Sequence, residues 1–426
     1  MTANARPDAL AVCGGPRVRL APWPARRSFG QAEKEAAVAV LDAAIADGRM
    51  VPYGGEQEQA YCREFAEALG GGFADAVNSG TNALYVALRA MEIEPFTEVI
   101  VPPITDPGGV MPVALAGFVP VPADAAPGSF NTGPEQVAER ITEHTTAVVV
   151  AHIAGMPAEI DGIMDLARRG GLAVIEDCAQ AHGARYKARP LGTFGDAAVF
   201  STMSGKHHAT GGQGGVVFTH DEGLYWRVRR HADRGKPFGL EGAARNVVAA
   251  LNCNLDELSA AIGRAQLRKL PEIVHRRRAL AAMLAERCRA ELRAVRFQQA
   301  VEGAEGSYWL FFFRLHAEQL RVGKPEFVAA LAAEGIPADA DYLHAPALAD
   351  WLRNRAVFGR SGYPWACPLY RGDAGRQYDT PNAVEANARH FRIAFHEDCG
   401  RREVDDALAA LRKVETAYLQ DEEHDR

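Results

Sequence analysis

Short, mostly apolar runs recur through the first half of the chain, at 73–77, 98–101, 118–121, 146–151, 172–176, 197–200 and 215–218. Apolar residues fall at helical spacing between many of them, as at 82–91 and 161–169. Runs without strict polar alternation predict strands covered on both faces, and the helices between them predict a mainly parallel sheet. Ahead of the first strand, an Ala-rich helix is expected over 33–46, with Gly48 as its stop. A second helix is expected over 56–69, where Tyr61, Phe65 and Leu69 make one apolar face before Gly70, Gly71 and Gly72 end it.

Beyond Leu255 the pattern turns helical to about residue 294. A mixed segment follows at 308–315, then helices over 326–334 and 402–417. The first thirty residues, rich in Pro, Arg and Gly, read as an arm. Residues 345–382 read as a long ordered loop and the acidic tail 421–426 as solvated. The expectation is an α/β protein of two domains, a large one over 1–265 and a smaller C-terminal α+β domain over 266–426.

In open α/β sheets ligands gather beyond the carboxyl ends of the strands. Three segments there carry chemistry. Lys206 stands in FSTMSGKHHATGGQGG, on a loop after a predicted strand. A lysine that bonds a carbonyl must be neutral, which a partly desolvated loop near other cations supplies; a solvated surface lysine is the plain alternative. Asp177 ends the run 172–176 and suits either a protonated ring nitrogen or a helix N-cap. Ser79-Gly80-Thr81 opens a helix, where free N–H groups and the dipole bind phosphate; simple capping is the other reading.

The charge balance, 47 basic against 54 acidic residues, is −7. It argues against a nucleic-acid surface, which needs a basic face. No run of about 18 apolar residues is present, so no membrane span is expected. The N-terminus lacks the apolar core of a signal peptide. Seven cysteines without a C-x-x-C pair fit a reducing, cytoplasmic setting.

Taken in order, NSGTNAL (78–84), IEDCAQAHGA (175–184), LGTFGDAAVFS (191–201), KHHATGGQGG (206–215) and LNCNLDELSAAIGRAQL (251–267) resemble the DegT/DnrJ/EryC1/StrS aminotransferase family. These are sugar and cyclitol aminotransferases of pyridoxal 5′-phosphate (PLP) fold type I. The likeness runs from about residue 10 to 419. It implies a transaminase that moves an amino group from glutamate or glutamine to a keto-sugar, expected to be nucleotide-linked, or to a keto-cyclitol. By position, Lys206 holds the cofactor and moves the proton between the α-carbon and C4′. Asp177 holds the pyridinium, Gln180 lies against the ring, and Gly80, Thr81 and Ser201 hold the phosphate. Asn252 matches the asparagine that the family sends into the partner subunit's phosphate site, which implies a homodimer with shared sites.

Three departures stand out. Asp106, in VPPITDPGG, occupies the family's usual aromatic stacking place and also reads as an Asp-Pro turn former. Thr202, Met203 and Ser204 replace the customary aromatic, histidine and proline before the lysine. Asn254 stands where many members carry arginine. A dehydratase or aromatising enzyme of the same family, or a non-catalytic regulator, are the competing readings; retention of Lys206 favours transamination over the first.

Other candidates carry less. Adjacent His207 and His208 lack the spacing of a metal pair. The run Gly211–Gly215 fails the G-x-G-x-x-G dinucleotide pattern and reads as a tight turn. His152 is either a cleft residue or a buried structural one. Arg229, Arg230, Arg234 and Lys236 read as a solvated helix face. Tyr342, His344, Trp365 and Tyr370 are candidates for a substrate wall.

Overall fold

The computed structural model describes residues 9–342 and 344–420, so the 421–426 tail lies outside the described residues. Seven of the described strands form the larger sheet: β1 (Phe73–Val77), β2 (Glu98–Val101), β3 (Val119–Pro122), β4 (Thr145–Ala151), β5 (Ala173–Asp177), and, after a short hairpin of β6 (Arg185–Tyr186) and β7 (Arg189–Pro190), β8 (Ala197–Ser201) and β9 (Gly215–Thr219). Their spatial order is β1-β9-β8-β5-β4-β2-β3. All neighbours are parallel except the two pairs made by β9, which runs against β8 and β1. Hence β1, β2, β4, β5 and β8 end on the same edge, where β9 begins.

Both faces are dry, as the apolar runs require. Val148 and Val150 of β4 pack into one core, and Ala147 and Val149 into the other. Tyr61 and Phe65, from the helix Glu56–Ala68, join the first core. Gly48 ends the helix Gln31–Asp47 in the left-handed region at φ 62°, which glycine adopts without steric cost.

The helix Glu257–Glu291 contributes Ala260 and Leu267 to the large sheet's core, and Leu280, Leu284 and Cys288 to a separate C-terminal core. Residues 265 and 266 both lie inside it. The C-terminal core covers an antiparallel sheet, β10 (Val295–Phe297), β12 (Phe311–Leu315), β14 (His390–Ile393) and β13 (Ala338–Asp339), in that order. A short strand β11 (Ala304–Glu305) pairs with β6. The arm is irregular but anchored. Leu10 is buried in the C-terminal core, and Arg19 pairs with Glu403 and Asp406.

Two expectations need correction. The segment 345–382 contains a helical turn, Asp350–Arg353, and its last residues begin the helix Pro381–Arg389. Trp365 and Tyr370, expected at a substrate wall, are instead buried with Ala114, Val119 and Leu352, and the Tyr370 hydroxyl donates to Glu98 at 2.7 Å. That apolar patch on the sheet's outer strands draws them inward.

Candidate active site

A cavity of about 270 Å³ lies at the common strand edge. Its walls include Gly80, Thr81, Asp106, Asp177, Gln180, Ser201 and Lys206, with His152, Thr105, Gly109 and Gln213. Of the residues expected to act in catalysis or to hold the cofactor, Asn252 alone is not among those that line it. That side chain is exposed, and its Oδ1 accepts from Asn254 Nδ2 at 2.7 Å.

Topology explains the convergence. Asp177 ends β5, Ser201 ends β8, and the register sets Ser201 and Val77 each opposite Gly215. The helix Gly80–Ala90 starts beside them. Ser79 caps it, its Oγ accepting from Asn82 N–H at 3.1 Å. Capping and anion binding therefore divide within one motif: Ser79 caps, and the N–H groups of Gly80 and Thr81 have no intrahelical acceptor. The fit is close enough to need glycine. A Cβ on Gly80 would stand 2.6 Å from Ser201 Cβ, and one on Gly109 would stand 2.9 Å from Asp177 Oδ2.

Asp177 is 7 % exposed, and its Oδ1 accepts from Ala179 N–H at 3.0 Å. Burial pushes its carboxyl up, against the pull of that hydrogen bond and of Lys206. A buried carboxylate with a free oxygen suits a cation, such as a protonated ring nitrogen. Lys206 is 6 % exposed, and burial brings its amine down to about 8 although Asp177 and Asp106 act the other way. Gln180 is locked in place. Its Oε1 accepts from Ala154 N–H at 2.7 Å, and its Nε2 donates to the Tyr342 hydroxyl at 2.8 Å. A flat ring with a phosphate at one end, a nitrogen at the other and an aldehyde facing Lys206 matches this donor set.

The departures acquire physical roles. Asp106 makes its turn, Oδ1 accepting from Gly108 N–H at 2.9 Å, and also faces the cavity. His152 is both buried and at the wall. Its Nδ1 accepts from Ala158 N–H at 3.0 Å, which leaves Nε2–H to meet Glu176 at 3.2 Å. These bonds occupy the ring nitrogens of the one group, His152, Glu176 and Cys178, whose atoms cluster as metal ligands do among the described residues. His207 and His208 turn into the core, toward the Ser307 carbonyl at 3.0 Å and the Tyr61 hydroxyl at 2.8 Å. The basic segment is paired rather than simply solvated: Arg229 with buried Asp75, and Arg234 and Lys236 with Asp233.

Sequence reasoning missed two contacts. Trp309 places its ring centroid 3.8 Å from Lys206 Nζ. Arg26 of the arm donates to the Lys206 carbonyl at 2.7 Å. Both partners are distant in sequence, so no local motif announces them.

The model of the DegT/DnrJ/EryC1/StrS aminotransferase family matches residues 31–412, and the chain belongs to that family. It is a PLP-dependent aminotransferase of fold type I. It is 34 % identical to an L-glutamine:2-deoxy-scyllo-inosose aminotransferase of Micromonospora echinospora, over 95 % of this chain and 97 % of that one. It is 32 % identical to an L-glutamine:scyllo-inosose aminotransferase of Streptomyces griseus, over 96 % and 97 %. Among solved structures, an aminotransferase from Psychrobacter cryohalolentis superposes with a TM-score of 0.78 at 28 % identity, covering 93 % of this chain and 98 % of that one.

Proposed function

We propose that this enzyme aminates a keto-cyclitol of the inosose type with L-glutamine as donor. The near full-length relatives that carry those substrates in their names support the reading. The observation that carries it is the meeting of Lys206, Asp177 and the Gly80–Thr81–Ser201 cradle on one cavity. When bound, PLP supplies the electron sink that makes the donor's α-carbon acidic. Lys206 holds the cofactor and carries the proton between that carbon and C4′. Asp177 keeps the ring nitrogen protonated, Gln180 backs the ring, and Gly80, Thr81 and Ser201 hold the phosphate. The donor's amine replaces the acceptor's ketone oxygen, which leaves as water, and another water supplies the oxygen of the keto acid.

We further infer a homodimer in which Asn252 completes the partner's phosphate site. Exposed Leu240, Val247 and Leu251, just before Asn252, support a covered surface there. The two cores, joined through the helix Glu257–Glu291, are read as a large domain over 1–265 and a small one over 266–426. No described helix is long and apolar enough to cross a membrane, and seven free cysteines support a cytoplasmic setting.

The test is transfer of ¹⁵N from α-labelled L-glutamine to 2-deoxy-scyllo-inosose, read by mass spectrometry. Labelled amino-cyclitol should form with the wild-type chain and not with Lys206→Ala. Transfer only to a nucleotide-linked keto-sugar, or water loss without amine transfer, would replace this reading.

A further inference from the structure

Lys206 must wait somewhere whenever its amine is not bonded to the cofactor. Its Nζ lies 3.8 Å from the centroid of the Trp309 ring. The face of an indole attracts a cation through the ring quadrupole, more strongly than phenol or benzene does.

Trp309 is itself held at several points. Its Nε1–H donates to the Gly205 carbonyl at 3.0 Å, which ties the indole to the lysine loop. Its own carbonyl accepts from Arg277 Nη1 at 3.1 Å, as the Tyr308 carbonyl does at 2.7 Å. Arg277 is buried and pairs with Glu397 at 2.6 Å. Glu397 pairs in turn with Arg26 of the arm at 2.8 Å. Arg26 then donates to the carbonyls of Gly205 at 3.1 Å and Lys206 at 2.7 Å. Loop, indole, long helix, C-terminal segment and arm thus close a ring of contacts, and the Lys206 amine lies over the indole that this ring fixes.

We propose that Trp309 is a positioning residue whose indole face seats the free ammonium of Lys206 and keeps it at the cavity while the amine is not bonded to the cofactor. The proposal rests on the role given to Lys206 and on no particular donor or acceptor. Other groups bear on the same amine. Asp177 and Asp106 favour its charged form, and burial opposes it. Behind the loop, burial holds His182 and His207 in their neutral forms, and Arg26 and Arg277 carry positive charge. The indole face adds to the two carboxylates, so replacing it by an apolar side chain that keeps the amine covered makes the amine easier to deprotonate.

The experiment uses the full chain freed of cofactor. Labelling of Lys206 by dinitrofluorobenzene is followed against pH by peptide mass spectrometry in wild type, Trp309→Phe and Trp309→Leu. A cation–π contact of ordinary strength corresponds to a fall in the Trp309→Leu midpoint of about 0.4–1.5 pH units, with Trp309→Phe in between. A merely structural tryptophan would lower the melting temperature of these variants without moving the midpoint. A folded Trp309→Leu protein whose midpoint stays within about 0.2 units of wild type overturns the proposal. Should that variant misfold, mono- and difluorotryptophan incorporation decides. Each fluorine weakens the ring face while nearly keeping its shape, so the midpoint should fall stepwise, and an unmoved midpoint sinks the idea. Neither readout involves turnover, so a wrong substrate assignment would leave this result standing.

Discussion

Asp177 holds a negative charge where little water reaches it. Its carboxyl is pushed up by burial, and Ala179 N–H and Lys206 offset only part of that push. A carboxyl raised above its unfolded value costs stability at pH above the unfolded value, because the unfolded chain ionises more readily. A cation against its free oxygen relieves that cost. Three results follow for Asp177→Asn. The cofactor-free variant should be at least as stable as wild type at pH 7, and it should gain less in melting temperature when PLP is added. Its turnover should fall by about 10²–10⁴-fold, the range for losing a group that governs proton transfer. Thermal melts with and without PLP, beside single-turnover rates, check all three. An undiminished thermal gain would remove Asp177 from the ring nitrogen.

The Lys206 amine, brought down to about 8, sets a second expectation at this scale. The neutral form needed to bond the cofactor grows about tenfold per pH unit below that value and levels off above it. The rate of PLP capture by the cofactor-free chain should therefore climb from pH 6 to about 8 and then flatten. Stopped-flow absorbance reads it directly, and a profile that keeps rising to pH 10 would mean an unshifted lysine. The cavity positions of Asp177 and Lys206 were legible in the sequence because Asp177 ends a strand and Lys206 lies on the loop after one, each inside a short motif. Trp309 and Arg26 were not, because their contacts are made by packing between distant segments.

The elements themselves were mostly legible, and the reason is the double-sided burial of the sheet. The strands of the larger sheet match the apolar runs to within a residue or so, as with β1 and β2. The two-residue strands β6, β7, β11 and β13 carry no period and were not readable, and β10 and β14, of three and four residues, are too short to stand out. The glycines at the strand edge were visible as letters, but their function required geometry. Gly80 meets Ser201 backbone and side chain, whereas Gly212, in the nearby glycine run, has nothing within 4 Å of an added Cβ. Gly80→Ala must therefore displace either the helix start or Ser201, an overpacking cost of about 1–3 kcal/mol. PLP affinity should fall at least about tenfold, the equivalent of 1.4 kcal/mol. Gly212→Ala should leave both stability and affinity close to wild type. Equilibrium binding of PLP to the two variants separates the cases, and equal affinities would deny the cradle its role.

At the scale of the whole molecule, Asn252 is the residue that one chain leaves unexplained. It is exposed, outside the cavity, and oriented by Asn254, the residue that replaces the family's usual arginine. Its use in a second subunit can be tested by complementation. Lys206→Ala removes the lysine from its own chain's site, and in the proposed dimer Asn252→Ala would remove the phosphate contact from the partner's site. In a hybrid dimer of the two variants, one site then has both defects and the other has neither. Random exchange makes about half the dimers hybrid, so about a quarter of all sites regain the wild-type set, because a closed two-fold dimer pairs each site with one partner. Activity should rise on mixing toward that fraction, well above the mean of the separate variants. If Asn252 served its own chain, every site keeping Lys206 would still lack Asn252, and mixing would recover nothing.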